Sequence, residues 1–276
     1  MTPSDLEDLR QASLIYMNTV SKTNNDLNFY RSFLKHSIDR YLSQEYQPEQ
    51  IYSAVFHAYN ISPETGDGWG RMHKDIDHVL TIDLHASSEA FMCSIANQSL
   101  LRIYNAMEVF FFEAIKIRYF PNLKNPTGSR KASSAVTTAI IEDLKSIDKR
   151  IDSRNNMHIL SFLRKKSAEL DWFLNQKMRI DLDTDWNNFF ELTSILRNLV
   201  GHHGTIVSSD TKNEIHSKAK DVFARHFDLI KDQNGYLNLL PKIDQFSNFI
   251  SFYNDFTMNI VKFIFGYEDL EIFDMF

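Results

Sequence analysis

The stretch from Ser88 to Tyr119, SEAFMCSIANQSLLRIYNAMEVFFFEAIKIRY, decides the fold class. Its apolar residues, from Phe91 and Met92 through Leu100, Ile103 and Met107 to Phe110, Phe111, Phe112 and Ile115, fall on nearly every side of a 3.6-residue helix. A helix that is apolar all round has to be enclosed by other elements, so this segment predicts a central helix with the core built around it. Gly and Pro number only 8 and 6 in 276 residues, too few for a turn-rich sandwich or barrel. The expected fold is therefore all-α, a helical bundle with at most a few short strands. A composition of 43% hydrophobic, 13% aromatic and 24% charged residues belongs to a globular chain rather than a disordered one.

Before the central segment, Ser4-Asp5-Leu6-Glu7 has the S-x-x-E form of a capping box and opens a helix towards Val20. Helical spacing of Phe29, Tyr30, Phe33, Ile38 and Tyr41 predicts a second helix over Asp26 to Ser43. Pro48 is placed to open a short third helix through Ile51, Val55 and Tyr59. Ser62 to Gly70 holds three of the eight glycines and is the clearest loop, which suggests an N-terminal helical region over 1–70 and a helical domain over 71–276. Alternation at Leu80, Ile82 and Leu84 fits a short strand.

After the central segment, Pro121 to Ser134 reads as a linker, and helices are expected over about 135–150 and 155–176. Asp185 can cap a helix from Trp186 that ends around Gly201, with Phe189, Phe190, Leu192, Ile195, Leu196 and Leu199 as its apolar stripe. A helix over 211–229, an Asn234-Gly235 turn with flanking strands and a last helix over about 243–265 complete the chain.

A net charge of -6 argues against coating nucleic acid through bulk electrostatics. The charge is uneven, however: residues 121–180 carry 12 Lys/Arg against 6 Asp/Glu, and residues 227–276 carry 3 against 8. Arg164, Lys165 and Lys166 are thus candidates to face RNA phosphates, although such a run also fits a solvated helix face. Cys93 is the sole cysteine, which rules out an intrachain disulfide and suits a reducing compartment. The first residues lack a basic segment followed by an apolar run, and no stretch of about 18 apolar residues occurs, so a cytoplasmic protein with no membrane partner is expected.

Arg197-Asn198-Leu199-Val200-Gly201-His202 concentrates the chemistry. An imidazole titrating near neutrality can move the proton of a ribose 2′-OH, and a guanidinium can clamp phosphate oxygens and stabilise the charge that develops on them. Asn198 is i-4 to His202 and can orient its ring. Five steps of about 100° leave Arg197 and His202 roughly 140° apart on an ideal helix, so a bend at Gly201 or a second copy of the chain is needed to converge them.

This segment resembles the R-x4-6-H signature of HEPN domains, all-helical modules of prokaryotic toxins, antiphage systems and CRISPR effector nucleases, in its R-N-x-x-x-H form. The likeness extends to the apolar run before the motif, to Gly204-Thr205-Ile206-Val207 after it, and to the Asn-Gly turn and final helix, and covers roughly Ser88 to Phe265. It implies a HEPN-like bundle with an additional N-terminal helical region, and a metal-independent endoribonuclease that acts as a homodimer without cofactor on an RNA substrate. It also implies a toxin or antiphage role, with an antitoxin or other defence-system protein as a possible partner. By the same resemblance Arg197, His202 and Asn198 are catalytic, and an acidic residue of the long upstream helix, Glu108 first and Glu113 second, stands behind Arg197. His203 is an alternative to His202. Some relatives carry a tyrosine two residues after the histidine as a target for nucleotidylation; Gly204 stands there, so that control is not carried over. The alternative function is a non-catalytic scaffold of the same fold that binds RNA, a nucleotide or a protein.

His73, Asp75, Asp77, His78, Asp83 and His85 cluster in sequence, but their spacing matches no metal signature, so no metal site is expected. Asp181, Asp183 and Asp185 fit helix capping better than a carboxylate site. Trp69 and Tyr119 could stack on bases, though aromatic residues in so apolar a chain are usually core.

Overall fold

The computed structural model describes residues 3–43, 50–59, 69–78, 84–123, 130–146, 158–231 and 235–266. Its elements are α1 (Pro3–Leu42), β1 (Gln50–Tyr59), β2 (Trp69–His78), α2 (Leu84–Tyr119), α3 (Arg130–Lys145), α4 (His158–Lys166), α5 (Ala168–Leu174), α6 (Trp186–His203), β3 (Ile206–Val207), α7 (Ser209–His226), β4 (Phe227–Lys231), β5 (Leu237–Pro241) and α8 (Ile243–Ile264). The fold is all-α, as expected. No helix among the described residues is long and apolar enough to cross a membrane.

The chain divides into two compact units, one of Met1–Leu27 with Cys93–Phe276 and one of Asn28–Met92. This partition differs from the expected boundary at residue 70, because the first turns of α1 cluster with the C-terminal helices. Tyr16 of α1 stacks on Phe110 at 5.6 Å and donates its hydroxyl to Thr257 of α8 at 3.0 Å.

In the larger unit, the all-round apolar character of α2 is realised as burial: Met107, Phe110, Phe111 and Ala114 are fully enclosed. The stripe on α6 meets α8 through aromatic rings, Phe189 touching Phe249, Phe252, Tyr253 and Phe256, and Phe190 stacking on Phe256 at 5.4 Å. Each such pair adds roughly 0.5–1.5 kcal/mol beyond the area it buries, so α6 is anchored from the face opposite its polar residues. A three-stranded antiparallel sheet of order β3-β5-β4 closes this end, with Ile206 opposite Asn238 and Phe227 opposite Pro241. The Cys93 thiol, 7% exposed, donates to the Pro241 carbonyl at 3.6 Å, joining α2 to the end of β5.

Several sequence expectations are corrected. The first two helices are one, α1, because Ser21 to Asp26 is polar but holds no proline or glycine to interrupt it. In the smaller unit, the helix expected over Ile51, Val55 and Tyr59 is strand β1, which pairs antiparallel with β2 from Gln50 opposite His78 to Tyr59 opposite Trp69. Its β-branched and aromatic residues suit that state. Leu84 opens α2 rather than ending a strand, while residues 79–83 lie outside the described residues. The helix expected over 155–176 is two: Ser167 leaves the helical conformation, and its hydroxyl accepts from Leu170 N at 3.2 Å to cap α5. The helix expected over 211–229 ends at His226, where β4 begins.

Candidate active site

Asp185 starts α6, its carboxylate accepting from Asn188 N at 2.7 Å. The preceding loop is tied to α7 by Asp221, which accepts from the backbone amides of Asp183 and Thr184 and from the Thr184 hydroxyl. Burial pushes the Asp221 carboxyl up, but these donors outweigh it and hold the group below the usual carboxylate range. Asp181 pairs with Arg225 at 2.9 Å and Asp183 with Lys177 at 2.7 Å, so the three aspartates serve capping and surface pairing.

One side of α6 faces α2. Phe190 stacks on Tyr104, the Tyr104 hydroxyl lies 3.1 Å from Ser194 Oγ, and the Arg197 guanidinium lies 5.9 Å from the Tyr104 ring centroid. A Cβ at Gly201 would stand 3.6 Å from Leu101 Cδ2. Positions 190, 194, 197 and 201 therefore form a single seam along Leu101 and Tyr104. Arg197 is half-buried there, and its Nη1 donates to Asn198 Oδ1 at 2.9 Å. Glu108, one turn beyond Tyr104, is half-buried; burial pushes its carboxyl up, and the Arg197 charge draws it part of the way back. The two attract through space with no direct ion pair among the described residues. Glu113 is fully committed elsewhere, accepting from buried Lys116 at 2.6 Å.

The helix does not end at Gly201. It runs through His202 to His203, and the chain turns at Gly204, whose φ of 65° lies in the left-handed region. Gly201 lies within the helix, and the residues after Gly204 are locked to β5, where Leu239 N donates to Thr205 O at 2.8 Å. The bend that would return His202 to Arg197 is thus absent, and helical geometry holds the two about 140° apart. His202 is exposed. Asn198 is exposed too, with its amide oxygen engaged by Arg197 rather than by the imidazole. The side chain of His203 lies outside the described residues.

The basic triplet is held internally. Lys165 and Lys166 both bond the Asp143 carboxylate, at 2.8 and 3.0 Å, and Arg164 Nε lies 3.2 Å from Asp171. Burial raises the Asp143 carboxyl, but the two ammonium groups outweigh it and lower the group overall. These residues fasten α3 to α4 and α4 to α5. Tyr119 packs edge-on against Phe162 at 5.4 Å, as a core aromatic would. Among the described residues no group of three or more His, Cys, Asp or Glu is arranged to hold a metal ion, and the side chains of the cluster from His73 to His85 lie outside them.

Tyr104 and Ser194 were not expected at the site. A tyrosine four residues before Glu108 was the available signal, since i and i+4 share a helix face. No protein-family model, no curated protein and no solved structure matches this chain.

Proposed function

We propose that the chain is a metal-independent endoribonuclease that acts as a homodimer. The observation that carries this reading is the end of α6, where a half-buried Arg197 rests on Tyr104 beside Glu108 and an exposed His202 stands on a helix terminus braced by the β3–β5 pairing. An imidazole takes the proton of a ribose 2′-OH as its oxygen attacks the adjacent phosphorus. The 5′-oxygen leaves with a proton from a second imidazole, giving a 2′,3′-cyclic phosphate and a 5′-hydroxyl. Arg197 neutralises the non-bridging oxygens, and Glu108 orients Arg197 from behind. Because one copy holds Arg197 and His202 about 140° apart, two copies about a two-fold axis would supply both groups to one phosphate. Following the family resemblance, the role is that of a toxin or antiphage effector in the cytoplasm, regulated by a partner protein.

The same separation of Arg197 and His202 favours a second reading, a non-catalytic scaffold that binds RNA, a nucleotide or a protein partner. Purified protein incubated with RNA in excess EDTA separates the two. Cleavage that leaves cyclic phosphate ends is expected, with a loss of about 10²–10⁴-fold in Arg197→Ala and in His202→Ala. If His203→Ala abolishes cleavage and His202→Ala does not, the acid/base group is His203. If wild type cuts no faster than the double variant Arg197→Ala/His202→Ala, the scaffold reading replaces the enzyme.

A further inference from the structure

A groove of about 900 Å³ opens against the last turns of α6, between β3, the first turns of α7 and the start of β5. Its floor is apolar, from Leu199, Ile206 and Leu237, and its rim carries Lys212, Lys231 and Tyr236. Ile206 is 46% exposed and Tyr236 56% exposed, so both present surface to the groove. Neither lysine ammonium has a hydrogen bond or ion pair among the described residues, in contrast to Lys165 and Lys166. No carboxylate is among the described residues that line the groove, although the chain as a whole carries a net charge of -6. The positive end of the first segment of α7, which runs from Ser209 to a break in helical geometry at Ala219, opens beside Lys212.

The groove lies on the side of α6 that bears His202. Leu199 lines it, and His202, three residues on, leaves the helix within about 60° of Leu199, whereas Arg197 faces α2. We infer that this groove holds the single-stranded RNA next to the phosphate presented to His202. One base stacks on Tyr236 over the apolar floor, and the flanking phosphates sit on Lys212 and Lys231. The inference rests on the ribonuclease reading for the identity of that phosphate, while the groove itself is a separate observation. Unstacked bases need an apolar floor and an aromatic face; a duplex hides its bases and offers mainly phosphate and 2′-hydroxyl groups. A free nucleotide would offer the same base and phosphate chemistry, so the experiment has an arm for it.

The test is fluorescence anisotropy with full-length His202→Ala/His203→Ala protein, in which neither candidate imidazole is left to cleave, and a labelled unstructured 12-nucleotide RNA. Relative to that parent, Lys212→Ala/Lys231→Ala should weaken binding about tenfold at low salt and reduce the slope of log affinity against log salt by about 1.4, the loss of two single-strand phosphate contacts. Tyr236→Ala should weaken binding about tenfold and Tyr236→Phe should retain it, since only the ring is needed. A duplex of equal length should bind at least tenfold more weakly. Lys165→Ala/Lys166→Ala should bind as the parent does. Matched thermal melts identify any variant that loses its fold, and Lys212→Gln/Lys231→Gln then replaces the alanine pair. Parental binding and salt slope in the lysine pair, or parental binding in Tyr236→Ala, overturns the inference. So does displacement of the strand by micromolar AMP, which would assign the groove to a free nucleotide. If wild type fails to cut RNA while this pattern holds, the enzyme reading falls and the groove stands; if wild type cuts and the pattern fails, the groove alone falls.

Discussion

Arg197 and Glu108 show how one residue's surroundings set another's protonation. Burial raises the Glu108 carboxyl, and the guanidinium offsets only part of that rise. The folded chain therefore keeps this proton more readily than the unfolded chain does. The resulting stability is fully present in acid and is lost as pH climbs from the ordinary carboxylate value through the raised one. Glu108→Gln preserves size and removes the ionisation, so its thermal stability relative to wild type should improve as pH rises above the ordinary carboxylate range and then level off once the wild-type group is ionised. Melts at several pH values measure this directly, and a difference that stays flat or declines refutes the assignment. Arg197, Asn198 and His202 were visible in the sequence because they lie within six residues. Tyr104 was not, because its value comes from a contact between residues 93 positions apart in the chain.

At the scale of elements, periodicity sufficed wherever burial is one-sided or complete, as in α2, α6 and α8. It failed where the deciding contact is non-local. The sequence of β1 fits either state over Ile51 to Tyr59, and its partner β2 is a polar segment with no strand pattern of its own, so only the pairing reveals the hairpin. The lysines at the end of α4 looked free for phosphate because their acceptor, Asp143, lies on α3, more than twenty residues earlier. The end of α6 offers a paired test. Gly201 is helical with ordinary room for a methyl group, so Gly201→Ala should stabilise by about 0.5–1 kcal/mol and spare activity. Gly204, at a positive φ, should cost about 1–3 kcal/mol when changed to alanine. Chemical denaturation curves give both values. Equal effects would mean that the helix turns at neither position or at both.

For the whole molecule, the separation of Arg197 from His202 means that the proposed ribonuclease needs its assembly as part of its chemistry. If both imidazoles of a dimer serve one phosphate, a hybrid of wild type with His202→Ala lacks either the base or the acid. Activity of an equimolar mixture should then fall to about a quarter of wild type after subunit exchange, the share of wild-type dimers. A fall to only about half, in a mixture shown to contain hybrids, rules that sharing out. The solitary sulfhydryl of the chain lends itself to timing such events. Cys93 is sealed where α2 meets the end of β5. A thiol-reactive dye can modify it only during moments when these two elements part, so labelling becomes a stopwatch for breathing where α2 meets the sheet. The native protein should react orders of magnitude more slowly than the denatured chain. Gly204→Ala, by loosening the strand that clasps β5, should make the clock run faster.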